Sequence, residues 1–587
     1  MIVRCCSLLL TCHLPARLLE RVQPSTSSFQ TLNTIHHWLR ECHLTHLRCA
    51  QRRRERIRQN PTRLLQVQAF EPSPKVYLRQ STQLPADARY ATLSHCWGQY
   101  MPVKLERSTL QAFLDGVDID KLPLTFQQAI VLTRSLGIEY IWIDSLCIVQ
   151  DSDEDWANEC TRMTSVYMNS FINIGANAAS DCRGGCFQQR SWKSVNPLSV
   201  RLTYIPTSWY RKPVILWPKP EGGNLLDHAP LGSRAWVVQE RLLAPRTVHF
   251  LKHKVVWECD ECQASETDVT GKLEDTTSKR TYLAVPVAPC DTAVNRANLF
   301  LSTWREIVSF YSAAKLSVAT DKLIAISGVA KYMYEKRQDD RSLQYYAGHW
   351  SHGFELQLMW FVDPFSVGTR PQTYLAPSWS WASYDGHVII TSWGSRTLWA
   401  TLVHIDVRPV SDSFGAVLSG FVRMRGSLCR AVLTHTSFDS DEDSDEESRR
   451  TLTLLGSGID VHFSDLVWDE KANEMASIDD DQNPVVLVGV AQAETLNDRP
   501  LQGLLLRVTG QENGQYRRVG YFSIDDEIPR SLEDQQKKER EWAAFGRVYE
   551  EPEEDNFGAL QHAFDAMDMP APFYERMVEG RYEFTIV

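Results

Sequence analysis

Between residues 88 and 260 short apolar runs alternate with stripes of apolar residues at helical spacing. ARYATLSHCW and GIEYIWID read as buried strands, the second rich in Ile and aromatics. Between them, Leu122 to Leu136 places Phe126, Ala129, Ile130 and Thr133 on one helical face. Pro123 suits its first turn and Gly137 its stop. A second helix is expected after Ser152, whose hydroxyl and Asp155 form a capping-box pattern, with Trp156, Cys160, Met163 and Tyr167 on one face. SFINIGA and KPVILWP are further strand candidates. Ser233 to Leu243 is a short helix, and TVHFL with KVVWEC a hairpin. Strand-helix-strand order of this kind predicts an α/β core around a parallel sheet.

The flanks differ. Ile35, Trp38, Leu39, Cys42, His46 and Cys49 recur at spacings of three and four, which predicts an amphipathic helical arm whose inner face they form. QRRRERIRQNPTR then reads as a solvated helix end or linker. Residues 297–335 are helical in pattern, with Trp304, Ile307, Val308 and Tyr311 on one stripe. YLAPSWSWASYDG marks a boundary, and beyond about residue 400 short β-prone runs predict an antiparallel unit. FDSDEDSDEESRR is expected to be a disordered acidic insertion near 438–450. The resulting division is 1–62 arm and basic linker, 63–265 α/β core, 266–400 helical extension packed on the core, and 401–587 β-rich domain.

Composition narrows the class. The 587 residues carry 62 Lys plus Arg against 73 Asp plus Glu, a net charge of -11, so no whole-protein field attracts a polyanion and no nucleic-acid partner is expected. Hydrophobic residues make up 43%, which fits a folded globular chain, and no run reaches a membrane span. The N-terminus lacks the pattern of a signal peptide. The 14 Cys are scattered without disulfide-framework spacing, so the thiols are expected to be reduced and the chain cytoplasmic, with no membrane partner.

Several positions invite chemistry. Ser94, His95 and Trp97 in SHCWG, and Asp144 in WIDSLC, end two apolar runs, where ligands sit in open parallel sheets. They otherwise cap turns. Cys96 beside His95 suggests a cysteine hydrolase, but adjacent strand residues point to opposite faces. Glu240 lies one helical turn after Trp236 in RAWVVQE, so carboxylate and ring share a face. The bland reading pairs it with Arg234, Arg241 or Arg246. Glu159 is a weaker candidate for the same work. Cys182 with Cys186 and Cys259 with Cys262 could supply four thiolates to zinc but lack a tight double-knuckle pattern, Cys42, His46 and Cys49 look ligand-like but are read as a helix face, and no metal ligand is assigned. Neither a P-loop nor a GxGxxG is present, and no cofactor is required.

ATLSHCWG, LPLTFQQAIVLTRSLGIEYIWIDSLCIVQDSDEDW, ECTRMTSVYMNSFINIGANAASDCRGGCF and SRAWVVQERLLAPRTVHF, in that order, resemble the fungal heterokaryon-incompatibility (HET) domain. WLRECHLTHLRC, DKLIAISGVA and APSWSWASYDG look like its usual flanks, so the resemblance covers roughly residues 38–386. It implies nonself recognition and programmed cell death, acting as a homo-oligomer or with another incompatibility protein. A remote similarity of HET to TIR domains implies a TIR-like or flavodoxin-like parallel sheet and NAD as a substrate. Glu240, His95 and Asp144 would then be catalytic, and Ser94, Trp97 and Trp236 would bind the dinucleotide. Two readings stay open: an NAD-cleaving enzyme, or a non-catalytic signalling module that self-associates or binds a partner.

Overall fold

The computed structural model describes residues 2–5, 8–11, 22–55, 59–68, 74–191, 198–200, 214–218, 226–270, 293–337, 340, 342–366, 368–391, 396–435, 450–455, 460–462, 465–469, 485–493, 501–524, 564, 569–570 and 573–587. The acidic insertion expected near 438–450 lies almost wholly outside them. Two compact units result: Met1–Pro289 with Ala314–Leu316 and Gly328–Lys336, and Cys290–Ala313 with Ser317–Ser327 and Arg337–Val587. No helix among the described residues is long and apolar enough to cross a membrane.

The first unit is built from α1 (Phe29–Leu44), α2 (Leu47–Glu55), β1 (Arg63–Gln66), β2 (Lys75–Gln80), β3 (Tyr90–Ser94), β4 (Val117–Asp118) and α3 (Leu124–Ser135). It continues through β5 (Tyr140–Ile143), α4 (Asp153–Met168), β6 (Ile172–Gly175), α5 (Ala235–Leu243), β7 (Arg246–Phe250), β8 (Val255–Cys259) and β9 (Gln263–Ser265). Among the described residues its large sheet runs β9-β8-β7-β6-β3-β5-β1-β2-β4. At its centre β5, β3, β6 and β7 are parallel neighbours, joined in chain order through α3, α4 and α5. Every residue of these four strands is buried, as expected for strands covered on both faces. The edges are antiparallel: β1 and β2 on one side, β8 and β9 on the other. The sheet is therefore mixed rather than all parallel. The run KPVILWP forms a strand in a separate sheet, at Val214–Pro218, beside Leu8–Thr11 and Leu198–Val200.

Local signals explain the helices. The Ser152 hydroxyl accepts from the Asp155 N–H at the start of α4, and Gly137 takes φ 68 just past α3. Trp156 does not join the inner face of α4. It is 37% exposed, and Glu159, Cys160, Met163, Val166 and Tyr167 form the buried stripe. The predicted single arm is two helices, because α1 ends at Leu44, capped by Thr45, and α2 starts at Leu47. Nor is the basic end of α2 wholly solvated. Arg52 pairs with Asp260 at 2.7 Å, donates to the Leu243 carbonyl and lies 5.3 Å from the Tyr332 ring centre.

In the second unit, the helix Ala293–Ser312 buries Trp304, Ile307, Val308 and Tyr311 as its stripe predicts. A large, mostly antiparallel sheet spans Arg396 to Ile586 among the described residues. The SWSW segment is tied into it: the Ser378 N–H donates to the Val587 carbonyl, and its Oγ accepts from the Arg518 N–H. The Arg518 guanidinium sits 3.5 Å from the Trp360 ring centre and pairs with Asp469 at 3.1 Å, so this charge is buried but fully engaged.

Candidate functional site at the strand ends

The carboxyl ends of β3 and β5 lie side by side because the two strands pair in parallel register, Leu93 opposite Ile143. Ser94 and His95 leave the first strand, and Asp144 leaves the second, at the start of the short helix Asp144–Cys147. His95 Nδ1 stands 3.6 Å from Asp144 Oδ1, and Trp97 Nε1 donates to Asp144 Oδ2 at 2.7 Å. The Asp144 Oδ1 also accepts from the Ser145 N–H at 2.7 Å, so capping and site contacts coexist. Arg234, just before α5, donates to the His95 carbonyl.

Glu240 enters this cluster from α5. Ser94, Tyr167, Arg234 and Asp144 are the groups that act on its carboxyl, while Oε2 is buried with no hydrogen-bond partner among the described residues. Burial pushes its pKa up to about 7 although Arg234, Ser94 and Tyr167 pull the other way. His95 is the complementary case. Burial, reinforced by Arg234, holds its pKa below the ordinary value against the pull of Asp144 and of the Leu93 backbone. Its ring meets Phe126 edge-on, with centroids 5.0 Å apart. The site thus combines an acid whose pKa is raised with an imidazole whose pKa is lowered. Perturbed pairs of this kind mark catalytic and binding sites.

The arrangement brings together Ser94, His95, Trp97, Asp144 and Glu240. Trp236 remains half-buried and shares no hydrogen bond or ring contact with them among the described residues. The bland pairings of Glu240 are only partly realised. Arg241 turns away to Glu258 and Asp227, and Arg246 donates to the Phe171 carbonyl, leaving Arg234 as the cation that acts on it. Glu159 is buried too, with Oε2 unpartnered among the described residues. Burial raises Cys96 to about 11 and Cys147 to about 12, so neither thiol is an activated nucleophile.

Tyr167, Arg234 and Asn173 complete the cluster and were not singled out as site residues. Asn173 Nδ2 donates to Ser94 Oγ at 3.0 Å, and its Oδ1 accepts from Thr92 Oγ1 at 3.0 Å. An Asn inside the apolar run SFINIGA was the available signal, since a buried amide needs partners. An open groove of about 490 Å³ elsewhere, lined by Asn33, His36, His37, Arg40, Arg89 and Phe171 among others, contains none of these groups.

Gly98 ends the SHCWG segment at φ 60, where an added Cβ would lie 2.6 Å from Asp181 Cβ and 2.9 Å from the Ser180 carbonyl oxygen. Gly98→Ala is therefore expected to lower unfolding free energy by about 1–3 kcal/mol. Urea denaturation with an unchanged m-value checks this.

No curated protein and no solved structure matches the chain. Residues 90–240 match the family model for Heterokaryon incompatibility protein (HET), a span that opens on the first residue of β3 and closes on Glu240. All six residues expected at the site fall inside it, and over this span the chain is similar to the HET domain.

Proposed function

We propose that the HET domain cleaves the nicotinamide–ribose bond of NAD through Glu240, and that this activity serves nonself recognition and programmed cell death. The observation that carries the reading is a buried carboxyl whose pKa is raised to about 7 and a buried imidazole, both acted on by Arg234 and Asp144, at the ends of parallel strands. The strand order β5-β3-β6-β7, second-first-third-fourth along the chain, matches the start of a flavodoxin-like sheet and supports the TIR-like reading.

Cleavage sends the bonding electron pair to the nicotinamide nitrogen, which leaves neutral. The ribose carbon becomes cationic, and a carboxylate beside it stabilises that charge. Water then adds, giving ADP-ribose, nicotinamide and one proton. His95 accepts that proton, and Asp144 steadies the resulting imidazolium from 3.6 Å. The planar face of Trp97, held at Asp144, suits a dinucleotide ring.

Glu240 acts here as the anion, so the rate should rise with pH as its carboxyl ionises near pH 7. Nicotinamide release measured between about pH 5.5 and 8 should fall roughly tenfold per unit on the acid side. A flat profile contradicts the role.

The second reading, a non-catalytic module that signals through self-association or a partner, is favoured by burial. Ser94 and His95 are each 2% exposed and Glu240 5%. On the enzymatic reading this is a closed resting state that opens on association with a second copy or with another incompatibility protein.

A further inference from the structure

Cys42, His46 and Cys49 were read as the inner face of one helix, yet the chain breaks between α1 and α2 at Thr45 and His46. The break brings Cys42, the last-turn residue of α1, to the same point as Cys49 of α2. Cys259, the final residue of β8, completes the group. One sulfur or ring nitrogen from each of the four lies within 4.8 Å of all the others. His46 Nδ1 stands 3.3 Å from Cys259 Sγ, across 213 positions of sequence.

We infer that Cys42, His46, Cys49 and Cys259 form a structural zinc site that fastens the N-terminal helices to the edge of the HET-domain sheet. Three thiolates and one imidazole are a standard closed zinc set, and such ligands at tetrahedral corners lie roughly 3.6–3.8 Å apart. The four atoms present all lie within 4.8 Å of one another, about an ångström or less from that spacing. Soft sulfur donors select zinc over magnesium or calcium, and four protein ligands leave no open position for catalysis.

The surroundings are those of a ligand shell. The Cys262 N–H donates to Cys259 Sγ at 3.3 Å, and the turn between them is held by the Cys259 N–H to the Cys262 carbonyl at 2.9 Å. Such N–H contacts steady a thiolate ligand. The Arg48 N–H donates to Glu261 Oε2 at 2.9 Å, and Arg52 pairs with Asp260, so the same turn is already docked on α2. Cys42, Cys49 and Cys259 are buried, and Trp38 of α1 meets Trp257 of β8 with centroids 6.3 Å apart. Zinc binding would displace three thiol protons in all and leave His46 neutral. The other candidate thiols are engaged apart from this group: Cys182 Sγ with the Tyr100 carbonyl at 3.1 Å, and Cys186 Sγ with the Thr125 carbonyl at 3.8 Å.

The full chain, expressed with zinc and passed over a metal-free column, should carry about one zinc ion per chain by plasma mass spectrometry. Cobalt exchange should give intense visible ligand-field bands and a near-ultraviolet sulfur-to-cobalt charge-transfer band. Cys259→Ser should lose the metal, His46→Cys should keep it with a stronger charge-transfer band, and Cys182→Ser should match the parent. Folded parent protein without zinc, full zinc retention in Cys259→Ser, or a disulfide joining two of Cys42, Cys49 and Cys259 in freshly purified protein would each overturn the assignment. Because the parent's metal content and the His46→Cys spectrum decide the matter, a Cys259→Ser chain that fails to fold does not shield it.

Discussion

Glu240→Gln is expected to reduce nicotinamide release by at least about 10³-fold, the scale on which loss of transition-state charge stabilisation is felt. The substitution keeps the shape of the side chain and removes the charge. Its effect on stability should run the other way. Burial raises the Glu240 pKa to about 7, so the unfolded chain loses this proton first and folding is penalised as pH rises from the unfolded value through 7. Above that pH the penalty is complete, and Gln removes it. Glu240→Gln should therefore unfold later in urea at pH 8 than the parent, by up to about 3 kcal/mol. If Glu240 merely fixed the helix through Arg234, the same change would destabilise the protein and leave any activity in place. An inactive but more stable variant separates the two readings, because a group kept at a cost to folding is kept for another reason.

Arg241→Met should destabilise the first unit by about 3–5 kcal/mol. The neighbouring residue on α5 faces a different environment from Glu240. Arg241 Nε and Nη2 donate to Glu258 at 2.8 and 2.9 Å, and Nη1 pairs with Asp227 at 3.1 Å. Glu258 is fully buried, and His249 Nε2 also reaches it at 3.3 Å. Removing Arg241 strands that carboxylate. A double variant, Arg241→Met with Glu258→Leu, should recover part of the loss, since neither charge is then left unpaired. The pH dependence follows in sign. Burial alone would raise the Glu258 pKa, but Arg241 and His249 hold it well below the carboxylate range. The stabilisation is present above the unfolded value, near pH 4.5, and fades as pH falls toward the folded one. Urea titrations at pH 7 and at about pH 4 measure it, and equal losses at both would contradict the assignment.

The parallel centre of the sheet was legible because β3, β5 and β6 are unbroken apolar runs separated by helices with ordinary start and stop signals. β1 and β2 were not, since RLLQ and KVYLRQ are short, half-buried strands whose partners are set by tertiary pairing. His95, Asp144 and Glu240 were legible as polar residues ending apolar runs or sharing a helix face with Trp236. Their convergence was not, because it depends on β3 and β5 pairing in register and on α5 returning over them. The thiol cluster shows the same limit more sharply. Cys42, His46 and Cys49 have ligand spacing, but helical periodicity explains that spacing equally well, and only the break at Thr45 and the distant Cys259 decide between the two. On α5, Glu240 and Arg241 are adjacent in sequence, and periodicity could not say that one serves the cluster and the other the hairpin of β7 and β8.

Nicotinamide release from NAD by the purified full chain, followed by chromatography across a concentration series that spans its monomeric and associated forms, tests the proposed chemistry most directly. Equimolar nicotinamide and ADP-ribose, appearing in at least one form and absent in Glu240→Gln, is the predicted result. No release from any form, or equal release from Glu240→Gln, contradicts it and leaves the strand-end cluster as part of a signalling module.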